Sequence, residues 1–538
     1  MSDHIQLLDC TLRDGCYIVD SNFGASAIRG LIEKLSQAHV DIIECGWLKN
    51  SEHKEGSAFY HVPADLQQYL TKKDTGKVYV VMIDWDRYDL SNLPPNDGKS
   101  IDAIRVVFPH GKFHEGIAVG KVIREKGYRV YFQAANTLAY NDSELIELAE
   151  AAAEASPECL SIVDTFGAMY EEDLERIVRI LDQHLAPEIK LGFHSHNNQQ
   201  LSFSLTQHFV KLLANSTRGI VVDASLCGMG RGAGNTTTEL AASYLNRKQN
   251  CHYNLDAILD AIDTYMVYFI ERYKWGYSTS YFIAGLYCCH VNNIAYLLDR
   301  HRTSARDMRH VIESLSPDER LKYDYDLLES KYLENQSRNV DDTAAREQLK
   351  QELQNKRVVL IAPGKKSLSC KETVMSYIRS HDCAVIAVNA LLGEYDYDYA
   401  FFVNPTRYEY ASKAHPEKFH AVKRVILSNI NGTDDEYKIS YEHVIRRGWK
   451  YFDNAVICCL QLLEYLGIGN AAIVGFDGFR DVYNESYADP LLPSLNASGD
   501  WDALNQEIKA MFKAFRDDAK ICCNIEFLTE SYFNDGEH

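Results

Sequence analysis

Residues 5–14 read Ile-Gln-Leu-Leu-Asp-Cys-Thr-Leu-Arg-Asp, an apolar run that ends on a charged pair, Arg13 and Asp14. The run over 5–12 is the first of eight; the others lie at 41–47, 77–84, 103–109, 129–135, 159–165, 190–196 and 219–226. Each is short, rich in β-branched or apolar residues, and followed by a segment of helical period. Strands alternating with helices predict a parallel sheet wrapped by helices, and eight such units in about 240 residues have the count and size of a (β/α)8 TIM barrel.

Barrels of this kind place their chemistry at the C-terminal ends of the strands. The polar residues of this sequence fall there: Arg13 and Asp14 follow the first run, Glu44 lies in the second, Asp84 closes the third, Asp164 the sixth, and His194 and His196 the seventh. Any one of them, such as Asp164, could simply cap the next helix. Together they predict a site on one face of the barrel.

His194-Ser195-His196 is an H-x-H on a strand, where side chains alternate faces with a period of two, so both imidazoles point the same way. Asp14 can add an oxygen. Two imidazoles and one carboxylate leave positions open for a substrate on a divalent cation, with Mn2+ the expected ion and Mg2+, Co2+ or Zn2+ the alternatives.

A chain of 538 residues is too long for one hydrophobic core, and two domains are expected. With 46% apolar and 25% charged residues it is an ordinary folded protein. A net charge of −20 repels polyphosphate backbones and argues against nucleic acid as a partner, leaving a small-molecule substrate. No apolar run is long enough to span a bilayer, and the N-terminus lacks the pattern of a signal peptide, so no membrane partner and a cytoplasmic location are expected. The 14 cysteines are scattered through apolar runs without any C-x-x-C, which fits reduced thiols rather than disulfides or zinc sites.

Past residue 250 the pattern changes. Residues 251–333 read as helices, taken as an extension over the mouth of a barrel domain spanning 1–250. Residues 334–356 are polar, with little to bury, and read as a partly helical linker. From 357 to 538 a second α/β pattern begins, with strands at 357–363, 384–391, 399–404, 424–429, 471–476 and 523–529, predicting a doubly wound, Rossmann-like domain. The turn Ala362-Pro363-Gly364-Lys365-Lys366-Ser367-Leu368 follows a strand and opens a helix; it can be a phosphate site or a plain turn.

Three motifs carry a resemblance. Residues 8–15 (Leu-Asp-Cys-Thr-Leu-Arg-Asp-Gly), 192–198 (Gly-Phe-His-Ser-His-Asn-Asn) and the glycine-rich stretch from Asp223 to Glu239 resemble, in this order, the DRE-TIM metallolyases, a family that includes hydroxymethylglutaryl-CoA lyase, 4-hydroxy-2-oxovalerate aldolase and the isopropylmalate and homocitrate synthases. The likeness covers roughly 5–300, and the aldolase branch is the most similar. It implies an enzyme, a metal-dependent carbon–carbon lyase, with Asp14, His194 and His196 on the metal, Asn235 as a further metal or substrate contact, and Arg13 beside the oxygen of a 2-oxo acid such as pyruvate, with an aldehyde as the second substrate. The sequence departs from the family at the general base: Tyr17 stands where the aldolases carry His. Tyr17 and Tyr287 are the candidates that the resemblance leaves for proton transfer, with His290 and Cys227 behind them. An acetyl-CoA-dependent Claisen-type synthase and a non-catalytic scaffold are the alternative readings.

Residues 357–480 are similar to bacterial CMP-sialic acid-dependent sialyltransferases and related nucleotide-binding domains. That similarity implies a pocket for a nucleotide or nucleotide sugar lined by Gly364, Ser367, Asn389 and Asn404, with His443 a further possible base, and a place in surface polysaccharide synthesis. A homo-oligomer is expected.

Overall fold

A computed structural model describes residues 4–300, 303–338, 340–480, 486–493, 500–522 and 524–534. The chain divides into two compact units, Met1–Ile294 with Pro317–Lys322, and Ala295–Ser316 with Tyr323–His538.

The first unit holds eight parallel strands: β1 (Ile5–Asp9), β2 (Ile42–Leu48), β3 (Val78–Asp84), β4 (Ala103–Phe108), β5 (Arg129–Ala134), β6 (Cys159–Asp164), β7 (Lys190–Ser195) and β8 (Ile220–Ala224). Each pairs with its sequence neighbour, and β1 pairs with both β2 and β8, so the sheet closes on itself. Every strand in the eight expected positions is present. The short strand Phe59–Tyr60 adds to β2 outside this closed order.

Helices return the chain between strands for identifiable reasons. Asn141 and Glu144 form a capping box, in which the Asn141 side chain accepts from Glu144 N at 3.0 Å and the Glu144 carboxylate accepts from Asn141 N at 2.8 Å. The helix that follows, Asp142–Ala155, buries Leu145, Leu148, Ala149 and Ala152, the spacing of one helical face.

Alternation along the strands divides the apolar residues. Leu7, Ile43, Ile104, Phe132, Leu160, Phe193 and Val222 point outward into the large cluster beneath the helices. Leu8, Ile42, Val80, Ala103, Tyr131, Cys159 and Val221 point inward and plug the barrel. Two residues further along, the corresponding positions are Cys10, Glu44, Met82, Arg105, Gln133, Ser161 and Asp223, all buried. The barrel interior thus changes from apolar to largely polar, with three charged side chains, within one layer.

The second unit contains a seven-stranded parallel sheet: β9 (Arg357–Ile361), β10 (Cys383–Val388), β11 (Tyr399–Phe402), β12 (Lys423–Leu427), β13 (Tyr437–Ile439), β14 (Asn470–Val474) and β15 (Asn524–Phe527). Their order is β13-β12-β11-β10-β9-β14-β15, so the chain winds outward from β9, then crosses back to add β14 on the other side. Val358–Ile361 is buried throughout, as a strand covered on both faces requires. β13 was not expected; it is only three residues long, half exposed, and too short to leave a pattern. The stretch 334–356, expected as a linker, holds the helix Thr343–Leu353, whose Leu349 and Leu353 are buried and whose Glu352 accepts from the Tyr399 hydroxyl at 2.5 Å.

Candidate metal centre

Asp14 lies in a single helical turn, Thr11–Asp14, immediately after β1, and is buried. Arg13 donates through Nη1 to its Oδ1, while Oδ2 accepts from Asn235 Nδ2 at 2.7 Å and lies 3.4 Å from His194 Nε2. On its other side Arg13 Nε donates to Glu44 Oε2 at 2.9 Å. The same Glu44 oxygen accepts from Arg105 Nη1 at 2.6 Å; Arg105 Nη2 donates to Asp223 Oδ2, and that oxygen lies 3.2 Å from His194 Nδ1. Six ionisable side chains from β1, β2, β4, β7 and β8 thus form a closed ring: Asp14, Arg13, Glu44, Arg105, Asp223, His194.

His196 follows β7 on the same side as His194, their rings 5.2 Å apart and perpendicular. Its backbone N–H donates to Asp164 O at 3.2 Å, and its backbone bridges to Asn235, which brings the glycine-rich turn against the end of β7. The turn depends on Gly234, at φ +82°, where a Cβ would meet the Gly228 carbonyl oxygen at 2.0 Å.

The protonation of these groups suits a cation. Burial alone would raise the Asp14 carboxyl, but Arg13, the two imidazoles and the Asn235 amide outweigh it and hold Asp14 at about 2. Burial, reinforced by Arg13, keeps His194 well below its ordinary value, and burial lowers His196 too. An ionised carboxylate beside two neutral imidazoles is the form in which these side chains bind a metal. Asn235 Oδ1 is buried and has no hydrogen-bond partner among the described residues, a further oxygen to offer. The donor set therefore fits a divalent cation.

By distance alone the tightest trio is Cys10, Asp14 and His194, whose donor atoms lie within 4.8 Å of one another. Cys10 was not foreseen as a donor. Its thiol donates to Ala224 O at 3.2 Å, and burial followed by the neighbouring Asp14 charge pushes it well above its ordinary value. A thiol that resists ionisation is a poorer ligand than a neutral imidazole; His196 lies outside this trio, with its ring centroid 5.2 Å from that of His194.

Comparison with known proteins finds relatives of the barrel. Residues 113–265 match the HMGL-like family model. Over those residues the barrel is similar to the HMGL-like family. The chain is 27% identical over 276 residues, 51% of its length and 77% of the relative's, to 4-hydroxy-2-oxovalerate aldolase 2 of Salinispora arenicola. It is 26% identical over 265 residues, 47% of this chain and 74% of the other, to the oxaloacetate decarboxylase of Mycobacterium tuberculosis. Among solved structures, the N-terminal domain of a Bacteroides vulgatus protein is 24% identical, with a TM-score of 0.46 over 55% of this chain and 96% of that one.

Around the mouth of the barrel the remaining candidates divide. Tyr17 lies under Arg231, whose guanidinium carbon is 3.3 Å from its ring centroid, and packs edge-on against Trp47 at 5.9 Å. Burial pushes its hydroxyl up, Arg231 opposing, so Tyr17 keeps its proton at neutral pH. Tyr287 ends the helix Thr279–Leu286, with the Arg320 guanidinium 5.0 Å from its ring centroid. Gly285 of that helix packs on Gln199 and Asn198, in the loop that follows His196. His290 is lowered to about 4 by burial and then by Arg231, and burial lifts the Cys227 thiol to about 12. Asp84 pairs with Lys49 at 3.2 Å. Asp164 accepts from Ala168 N at 2.8 Å and Ser195 Oγ at 3.3 Å, and burial pushes it up to about 7. It braces the loop beside His196.

In the second unit Gly364 and Asn389 line a cavity at the strand ends, Asn389 with φ of +60°. Ser367 and Asn404 are turned to the backbone: the Ser367 hydroxyl donates to Gly364 O at 2.7 Å, and Asn404 caps the helix Pro405–Ala414 by accepting from Thr406 N at 2.9 Å. His443 Nδ1 pairs with Asp342 at 2.7 Å.

Proposed function

We propose that the HMGL-like barrel is a divalent-metal-dependent aldolase that makes or breaks a carbon–carbon bond next to the carbonyl of a 2-oxo acid such as pyruvate, with an aldehyde as partner. The closed ionic ring is the observation that carries this reading. Its three carboxylates and two guanidiniums leave one net negative charge in a buried place, which a divalent cation together with a monoanionic 2-oxo acid would neutralise.

Asp14, His194 and His196 would hold the cation, with Asn235 within reach. When bound, it supplies Lewis acidity to the carbonyl of the 2-oxo acid, and Mn2+ is the ion we expect. Arg13 cannot swing: Asp14 and Glu44 hold its guanidinium from two sides, which orients its free edge toward an oxygen that gains charge in the reaction. Tyr17 retains its proton and serves as a donor or acid rather than a base. Arg231, beside Tyr17, can pair with an incoming carboxylate.

Exchange of the methyl protons of pyruvate in D2O, with Mn2+ and the full chain, tests the proposal. Metal-dependent exchange supports it. Protons retained at saturating pyruvate and metal would make the barrel a binding module.

We further propose that 1–250, with the part of the 251–333 helical extension that lies in the first unit, forms the catalytic domain, that 334–356 leads into a Rossmann-like domain over 357–538, and that this second domain binds a nucleotide or nucleotide sugar. The parallel sheet with its winding reversal between β9 and β14 supports that assignment. The buried thiols are consistent with a cytoplasmic enzyme.

A further inference from the structure

Where the second sheet reverses its winding, between β9 and β14, the strand ends open on a cavity of about 80 Å3. Diverging connections leave a crevice at such a point, and ligands bind there in open α/β sheets. Three features of its wall differ in chemistry.

The first is cationic. Arg407, on the helix Pro405–Ala414, is 2% exposed, lines the cavity, and lies with its guanidinium carbon 4.7 Å from the ring centroid of Tyr487. A planar guanidinium is well suited to a phosphate. On the same wall is the start of the helix Ala455–Leu466. Asn454 caps it by accepting from Ile457 N at 3.3 Å, which leaves the N–H groups of Ala455 and Val456, both lining the cavity, to other acceptors.

The second is aromatic. Phe479 lines the cavity with one face backed by Trp501, their rings 6.0 Å apart and 15° from parallel, and Tyr487 stands edge-on to it at 6.2 Å. Flat, rigidly backed rings suit a planar heterocycle. The third is a lone acceptor. Asp477 takes the Lys366 N–H on Oδ2 at 2.7 Å, while its Oδ1 is buried with no hydrogen-bond partner among the described residues. A buried acceptor in that state awaits a donor.

We propose that this cavity binds a nucleoside monophosphate unit, its phosphate held by Arg407 and the first turn of the helix Ala455–Leu466, its ring against Phe479 and Tyr487, and a hydroxyl or amino group donating to Asp477. The proposal rests on the nucleotide reading of residues 357–538. It moves the phosphate away from the Gly364–Ser367 turn, whose Ser367 hydroxyl is taken by the Gly364 carbonyl.

Titration calorimetry on the full chain with CMP, UMP, AMP and GMP, and with inorganic phosphate and the unphosphorylated nucleosides, tests it. At least one monophosphate is expected to bind, with its nucleoside and inorganic phosphate each at least about tenfold weaker. Arg407→Lys keeps the charge but loses the planar fork, and should weaken that nucleotide about tenfold or more. Ala455→Pro removes one N–H at the first helical position, where proline is tolerated, and should weaken it severalfold while the thermal midpoint holds. A nucleotide that binds equally well to both variants would be seated elsewhere, overturning this site but leaving the domain a nucleotide binder. Absence of binding by all four monophosphates at millimolar concentration would overturn both. Inorganic phosphate binding as tightly as the nucleotide would remove the ring from the proposal and overturn it as stated.

Discussion

Asp223 Oδ2 lies 3.2 Å from Nδ1 of His194, on the side of the imidazole opposite Nε2, which faces Asp14 at 3.4 Å. The angle is too poor for a well-formed hydrogen bond, yet the carboxylate still favours a proton on Nδ1 and a lone pair on Nε2. Such a partner orients a ligand and selects its tautomer.

Replacing Asp223 with Asn should therefore weaken Mn2+ binding about 10- to 100-fold, since the amide can present an N–H to Nδ1 and favour the wrong tautomer. His194→Ala should abolish metal binding with the barrel still folded. Calorimetric titration with the metal alone, alongside circular dichroism, measures both. Full occupancy in the folded His194 variant would contradict the ligand assignment.

Arg13→Lys preserves charge but cannot contact Asp14, Glu44 and substrate with one planar group. The rate of pyruvate proton exchange should fall about 10²- to 10³-fold with the metal still bound. An unchanged rate would remove Arg13 from the reaction.

Arg105 is fully buried between Glu44 and Asp223. Arg105→Met leaves Asp223 without its guanidinium and Glu44 with Arg13 alone, and should lower the free energy of unfolding by about 3–5 kcal/mol, read from urea denaturation. A loss under about 1 kcal/mol would mean that the carboxylates take up protons or find other partners.

In the second unit, burial raises the Asp477 carboxyl from 3.8 to about 6. A carboxyl with a higher value in the folded state than in the unfolded chain contributes stability below about pH 4, and loses that contribution as the pH rises through about 6. Asp477→Asn, whose carbonyl can still accept from Lys366 N, should raise the thermal midpoint at pH 7–8 and leave it unchanged near pH 4. A midpoint unchanged at both would show that Asp477 ionises without cost.

The eight barrel strands were legible because each pairs a short apolar run with a helical segment, and Asp14, His194 and His196 stood out at strand ends. Arg105 and Asp223 did not. Each sits inside an apolar run, and β4 and β8 are distant in sequence and not paired in the sheet; only closure of the barrel brings them together across its interior. The signal for Arg105 was a lone charge among Val and Ile; Asp223 opened the third motif but was given no role of its own. Cys10 was hidden for another reason, since a buried cysteine is more often packing than chemistry. In the second unit Gly364 and Asn389, singled out by their places after strands, both line the cavity. Ser367 and Asn404 have equivalent places, but their short side chains bond to nearby backbone, a competition that sequence does not resolve.

The apolar plug formed by Leu8, Ile42, Val80, Ala103, Tyr131, Cys159 and Val221 lies directly beneath the charged layer. It makes the reaction chamber a cul-de-sac. A ligand of the charged layer would then come and go from the C-terminal side of the strands, and of two ligands the one seated deeper would have to enter first.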